Sequence, residues 1–467
     1  LLLTIRIGQS ALKHDALITA QDGQPPKLRF WAIVAVGVAV CLTVIDQMVV
    51  NVALPTIGAE LSASPSATVW IVNAYQVAIM LPLLPLSSAG DIFGYRRVYL
   101  AGLALFGLAS IGCALATSID VLVLMRVIQG LGAAGVMSVN MALVRFIHPI
   151  HRLGYGIGIN AVIIAISAAA GPTLASAILA VADWPWLFWV KVPFAFLAFA
   201  IGLYTLPKTP RASHPFDSAS AALSAITFGA LIFFIDALGH DTPPLLVAAE
   251  LLVTILAGLV LVRRQFSVPA PLLPIDLLRL PIFALSVATS MCSFLSQTLA
   301  FIALPFYMQA IGYSAVEVGL LMTPWLLATA ALAPIAGRLS DRYPAGVLGL
   351  IGLLAFAAGL MALVLVDERT STLDMVWRMA LAGAGFGLYQ SPNNRTMQAS
   401  APRHRSGGAS GMQAMARLLG QTVGAALTAF AFARFADGSI VAMWLAVAFA
   451  VLGAVVSALR LTDMPRL

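Results

Sequence analysis

Asp91-Ile-Phe-Gly94-Tyr-Arg96-Arg97 is a charged turn set between two long apolar runs, at about 68–90 and 97–117. A comparable turn, Gly337-Arg-Leu-Ser-Asp341-Arg342, follows another apolar run at 315–339, and the two aspartates stand 250 positions apart. Two more landmarks recur near that interval. Arg126 precedes Gly135 by nine residues as Arg378 precedes Gly387, an offset of 252, and Gly171-Pro172 is answered by Gly420-Gln421, an offset of 249. Three landmarks at nearly one spacing imply a duplicated unit.

A hydrocarbon core of about 30 Å needs roughly 20 apolar residues per helix. Fourteen runs qualify, at about 29–55, 68–90, 97–117, 119–145, 153–182, 186–206, 217–238, 244–263, 281–312, 315–339, 345–366, 373–396, 407–434 and 439–461. The expected architecture is an all-α polytopic membrane protein with six, two and six transmembrane helices. It divides into an N-terminal arm (1–28), a six-helix bundle (29–206), two inserted helices with flanking loops (207–280), a second six-helix bundle (281–461) and a tail (462–467). Composition agrees: 61% of the 467 residues are hydrophobic and 10% are charged, against about 25% charged in a soluble domain.

The net charge of +7 reads as topology rather than nucleic-acid binding. With the N-terminus inside, twenty Lys and Arg positions fall on the inner side, while Arg369 and Arg434 stand in or beside outer loops. Such a bias sets both termini in the cytoplasm and the chain in an inner (plasma) membrane of bacterial type. Residues 1–28 are polar and mixed, and are expected to form a loose cytoplasmic arm. Cys41, Cys113 and Cys292 lie within apolar runs, which argues against a disulfide framework or a zinc site. No phosphate-cradling glycine loop ending in Lys-Ser/Thr is present, and the six histidines lie mostly at loops. No cofactor, metal or enzymatic activity is expected.

Several motifs resemble the fourteen-helix drug:proton antiporter branch of the major facilitator superfamily, over residues 30–461. Ile45-Asp46-Gln-Met-Val-Val-Asn-Val-Ala-Leu-Pro55 looks like its acidic first-helix motif. Asp91, Gly94, Arg96 and Arg97 match its loop motif, Arg126-Val-Ile-Gln129-Gly130-Leu-Gly132 its fourth-helix motif, and Ala170-Gly171-Pro172 its fifth-helix antiport motif. Departures occur as well. Ser87 replaces the usual loop glycine, Ile92 and Tyr95 replace basic residues, Ala175-Ser176 replaces a glycine pair, and Lys191 stands where asparagine is usual. The resemblance implies a major facilitator fold and proton-coupled efflux by alternating access.

Within that frame Asp46 is the leading candidate for proton coupling, because a carboxylate deep in a span needs a partner or a cavity. Asp46 lies roughly 13 Å and Arg126 roughly 10 Å below the same membrane face at 1.5 Å per residue, so the two are expected to pair. Asp91, Gly94, Arg96 and Arg97, with Asp341 and Arg342, are expected to act as a cytoplasmic gate. Gly171-Pro172 is expected to act as a hinge or seal. Gln129, Asn140, Gln297, Asn393, Asn394, Arg417 and Gln421 are candidate cavity residues, and Arg417 sits roughly 15 Å into its span. Asp236, Glu250 and Glu317 read as interfacial.

The expected function is export of small amphipathic compounds, of multidrug or antiseptic type, in exchange for protons. Alternatives are a dedicated exporter of one endogenous metabolite, such as a siderophore or an amino-acid derivative, or a non-transporting membrane sensor. Expected partners are a small-molecule substrate, protons and the lipid bilayer, with the monomer as the working unit. With Arg126 and Arg417 deep and Lys191 nearby, an anionic, zwitterionic or neutral cargo carries equal weight with a lipophilic cation.

Overall fold

In the computed structural model the described residues are 23–149, 153–209, 216–239, 242–268, 275–340, 342–366, 370–401 and 406–461. Among them fourteen long helices follow one another. They are α1 (Pro26–Glu60), α2 (Pro65–Phe93), α3 (Tyr95–Ala114), α4 (Ile119–Ile147), α5 (Leu153–Leu179), α6 (Trp186–Thr205), α7 (Ser218–Gly239) and α8 (Pro244–Ser267). After a short 3-10 turn (Ile275–Arg279) come α9 (Pro281–Ala310), α10 (Ala315–Leu339), α11 (Ala345–Val364), α12 (Thr372–Ser400), α13 (Ser406–Arg434) and α14 (Gly438–Leu459). The helix α6 is interrupted at Val190, between Trp186–Trp189 and Lys191–Thr205.

Local chemistry fixes several helix ends. Proline at the first position starts α1 and α2, where its missing N–H costs nothing. Ser118, in the short break between α3 and α4, caps α4 by accepting from Val121 N–H at 3.4 Å. Ser314 and Glu317 form a reciprocal capping box that opens α10. Gly94, at φ +96°, lets the chain turn tightly from α2 into α3.

Thirteen of these helices, in α5 over Val162–Leu179, are long and apolar enough to cross a membrane. The fourteenth, α12, carries Arg378, Gln390, Asn393, Asn394, Arg395 and Gln398, and is too polar to qualify by hydropathy alone. Four of these side chains, Arg378, Asn393, Arg395 and Gln398, have hydrogen-bond partners inside the protein. Asn393 donates to Ser286 O at 3.1 Å and accepts from Arg460 at 2.8 Å.

The helix pairing of α1–α6 is repeated by α9–α14. The pairs α1·α5, α1·α6, α2·α4, α3·α4 and α3·α6 recur as α9·α13, α9·α14, α10·α12, α11·α12 and α11·α14. The two sets meet through α2·α13, α5·α10 and α1·α9. Between them α7 and α8 form a hairpin, with α7 on α13 and α2 and with α8 largely exposed. Trp70 of α2 donates its indole N–H to Asp236 of α7 at 3.0 Å, so Asp236 ties the hairpin to the bundle. At the hairpin's other end Arg264 pairs with Asp217 at 2.8 Å. Burial opposes the charge of Asp217, but hydrogen bonds from Ser220 and Arg264 outweigh it and hold the carboxyl below its usual range.

Glycines bring α3 against α4 and α11 against α12. A Cβ at Gly102 would stand 2.7 Å from Gly132 O, and one at Gly352 would stand 2.8 Å from Gly385 O. A Cβ at Gly132 would meet Phe106 N and Gly102 O as one at Gly385 would meet Phe356 N and Gly352 O. The contacts therefore set Gly385 in the place of Gly132, and do not set Gly387 in the place of Gly135. Gly387 meets Thr329 O of α10 instead.

Gly132→Val should lose stability near the upper end of overpacking penalties, about 3 kcal/mol, because its Cβ would sit 2.5 Å from Phe106 N. Gly229→Val, whose Cβ would meet nothing within 4 Å, should leave the thermal midpoint in detergent unchanged.

Candidate functional site

Asp46 faces the interior of the first bundle and is fully buried. Its Oδ2 accepts from Arg126 Nη1 of α4 at 2.5 Å, and its Oδ1 is bound by Lys191 Nζ at the start of the longer segment of α6. Gln129 Nε2 reaches the same Oδ1 at 3.3 Å. Gln129 lies one turn after Arg126, so both side chains leave α4 on one face. Its Oε1 accepts from Arg126 at 2.5 Å, and its amide donates to Ser110 Oγ of α3 at 2.8 Å.

The two cations are also held by aromatic faces. Tyr75 of α2 lies under the Arg126 guanidinium at 4.0 Å, and Phe188 lies under Lys191 at 4.3 Å. Arg126 Nε donates to Ile71 O at 3.0 Å, while its Nη2 is buried without a hydrogen-bond partner. One carboxylate thus binds two basic side chains, with Asp46 and Arg126 fully buried and Lys191 at the wall of an apolar opening of about 730 Å³. Burying such a group is costly unless every charge is matched. Sequence reasoning paired Asp46 with Arg126 but left Lys191 outside the site. The signal available was its place just after Trp184-Pro-Trp-Leu-Phe188, one aromatic turn from Phe188.

A separate cavity of about 540 Å³ lies between the two bundles. Arg417 and Gln421 of α13, Gln297 of α9 and Asn394 of α12 line it, with Thr43 and Gln47 of α1 opposite. Of the other expected cavity residues, Gln129 belongs to the Asp46 cluster. Asn140 donates to Asn160 at 3.1 Å within the first bundle, and Asn393 is spent on Ser286 and Arg460. These three point into a bundle because α4 and α12 turn their other faces to the cavity. An apolar opening of about 450 Å³ lies beside it between α5 and α10, with Ala165 and Ala330 lining both.

The lining reaches Asn394, six residues short of the end of α12, or roughly 9 Å from the end where α1 begins and α14 finishes. At the opposite end the bundles touch. Ser176 of α5 donates to Val316 O of α10 at 2.9 Å, and Thr173 and Thr323 hydroxyls meet at 2.8 Å. Gly319 permits this approach, since a Cβ there would lie 2.6 Å from Pro172 O. Gly171 packs against Met48 of α1 on the other side. Gly171-Pro172 therefore stands at the contact between bundles, and Gly319 is the partner that sequence reasoning missed.

In the charged turn Asp91 accepts from Tyr95 O–H, and Arg96 donates to Leu203 O. Neither arginine of the turn pairs with Asp91 among the described residues, and the contacts stay within the first bundle. Arg342 is exposed, and Asp341 lies outside the described residues. Arg378 is bonded to Asp374 at 2.6 Å and to Ala362 O, so it is no copy of the buried Arg126.

The Major Facilitator Superfamily profile matches residues 36–425 and again 287–466. The chain belongs to this superfamily. It is 51% identical over 446 residues to the "Uncharacterized transporter YebQ" of Escherichia coli (strain K12), covering 95% of this chain and 98% of that one. It is 30% identical over 421 residues to the "Multidrug resistance protein Stp" of Mycobacterium tuberculosis (strain CDC 1551 / Oshkosh), covering 88% and 76%. Its fold matches the solved structure of a bacterial homologue of the human lysosomal transporter Spinster, at TM-score 0.66 and 17% identity over 94% of this chain and 97% of that one. The protein is a multi-pass transporter of the bacterial inner membrane, not an enzyme.

Asp46→Asn should cost about 3–5 kcal/mol of stability, because two buried cations lose their counter-charge. Adding Lys191→Met should restore part of that loss, read as the thermal midpoint in detergent. Equal midpoints for the single and double variants would contradict the coupling. Gly319→Val should prise α5 from α10, and a cysteine placed at Thr173 should then react faster with a water-soluble thiol reagent.

Proposed function

We propose that this superfamily member is a proton-coupled antiporter that exports small amphipathic compounds by alternating access. It has fourteen spans in a six, two and six arrangement, with both termini cytoplasmic. The observation that carries the reading is the buried Asp46, shared by Arg126 and Lys191 and separated from the cavity. A proton can take the place of one cation on that carboxylate when α1, α4 and α6 shift. Inward proton flow would then drive the tilt of one bundle against the other. The membrane potential adds about 2.3 kcal/mol per charge per 100 mV.

With cytoplasmic termini, the sealed end at Gly171-Pro172 and Gly319 faces outward, and the cavity is lined toward the cytoplasm. Cargo would load from that side in this conformation. The turn containing Asp91, Gly94, Arg96 and Arg97, with Asp341 and Arg342 in the second half, serves as the cytoplasmic gate when the bundles tilt back. Its present contacts within one bundle fit a gate that is not engaged. Relatives named as multidrug resistance proteins and as a "Multidrug efflux pump LfrA" of Mycolicibacterium smegmatis support export of this kind.

The test is proton movement in everted vesicles on addition of compounds from a toxic-compound library. Wild type should alkalinise the lumen in a cargo-dependent way. Asp46→Asn, assayed in the Lys191→Met background to keep the bundle folded, should lose at least about tenfold of that rate. Undiminished uphill transport by a folded variant lacking the carboxylate would sink the reading.

A further inference from the structure

Arg417 is the one charged side chain among the described residues that line the central cavity, and no carboxylate stands with it. It forms no hydrogen bond or ion pair with another described residue. The other buried cations are treated differently. Arg126 and Lys191 share Asp46, and Arg460 is bonded to Asn393, Ser286 and Ser457. A guanidinium at this depth presents five donors in a rigid fork and is costly to leave unmatched. Arg417 does not face lipid, so it cannot be met by a headgroup reached along the bilayer.

The surroundings of Arg417 suit an organic anion. Gln413, Arg417 and Gln421 recur every fourth residue and form one stripe on α13, all three lining the cavity. Their amides supply further donors and acceptors for a headgroup. Phe294, Phe301 and Phe386 line the same space and offer ring faces and edges to an apolar body. A lipophilic cation would meet a like charge here and no acid.

We infer that Arg417 anchors the carboxylate of an amphipathic organic anion, so that the cargo of the cavity is anionic. The inference rests on the export reading for its direction but not for the binding itself. A carboxylate can accept two parallel N–H bonds from the guanidinium, which a neutral or cationic headgroup cannot do. Amides from Gln421 and Gln297 complete the contact, and the apolar body lies among the phenylalanines.

The experiment uses the purified full chain in an uncharged detergent and three probes with one aromatic body: naphthoate, naphthylmethanol and naphthylmethyl-trimethylammonium. Binding is read by isothermal titration calorimetry. Wild type should bind naphthoate at least about tenfold tighter than the ammonium probe. Arg417→Gln should lose that preference while binding naphthylmethanol as wild type does, and Arg417→Lys should keep part of it. Tighter binding of the ammonium probe, no heat with naphthoate, or unchanged naphthoate affinity in Arg417→Gln would overturn the inference. Where Arg417→Gln does not fold, the ranking of the three probes by wild type decides. Because no transport is measured, the double variant that removes Asp46 and Lys191 should keep the naphthoate preference, so this inference and the antiport reading fail separately.

Discussion

One carboxylate organises the first bundle. Asp46 of α1 draws Arg126 from α4 and Lys191 from α6 onto its two oxygens, and Gln129 carries the network to Ser110 on α3. Tyr75 brings α2 into the same cluster beneath the guanidinium. Five of six helices are thereby fixed around a single buried point. In lipid the hydrophobic effect gives little drive to bring helices together, so polar contacts and close small-residue packing must supply specificity. The exception is α5, which sends no described side chain into the cluster. It is also the helix that meets α10 across the bundles, through Pro172, Thr173 and Ser176. The helix outside the cluster is the one at the far-end contact between bundles.

The two bundles share a pairing plan but not their chemistry. The position 250 residues beyond Asp46 is Ser296, whose hydroxyl donates to Ala446 O at 2.6 Å. The position 250 beyond Tyr75 is Trp325, which packs at 4.7 Å from Phe301 and 5.5 Å from Phe356. Phe386 extends the stack toward Phe294 at 5.5 Å. Where one bundle is knitted by charge, the other is filled by rings that meet mostly edge to face. Duplication preserved the backbone contacts, and above all the glycine approaches of α3 to α4 and α11 to α12.

How much of this was legible in the sequence follows from what each feature depends on. Spans follow from length and apolarity, so all fourteen could be marked as runs, although α12, with its polar inner end, falls short of the other thirteen in hydropathy. The Asp46–Arg126 pair could be foreseen because depth is a one-dimensional quantity that residue counting recovers. Lys191 was not paired in the same way, because counting sets it only about five residues into α6, and the reach of its long side chain to Asp46 is not a matter of depth along the chain. Direction around a helix was the main loss. Gln129, Asn140 and Asn393 have the right depth for a cavity but point into bundles, while Gln297, Asn394, Arg417 and Gln421 point into it. A hydropathy pattern that is apolar on every side carries no moment to say which face is which. Gly319 was invisible for a related reason: its role lies in Pro172 on another bundle.

The cluster and the cavity occupy opposite faces of one helical turn. Thr43, Val44, Gln47 and Met48 line the cavity, while Asp46 points into the bundle beside them. Neighbours on a helix diverge by about 100°, so cargo and carboxylate cannot touch through α1 without that helix turning. In the antiport reading, cargo and proton therefore do not compete for one site. Exchange must pass through the position of α1, whose one face is set by what fills the cavity and whose other face is set by what partners Asp46. Met48 links this to the seal, because it lines the cavity and also packs against Gly171. A small rotation of α1 would then disturb three things together: the cation partners of Asp46, the cavity wall, and the packing that holds α5 against α10.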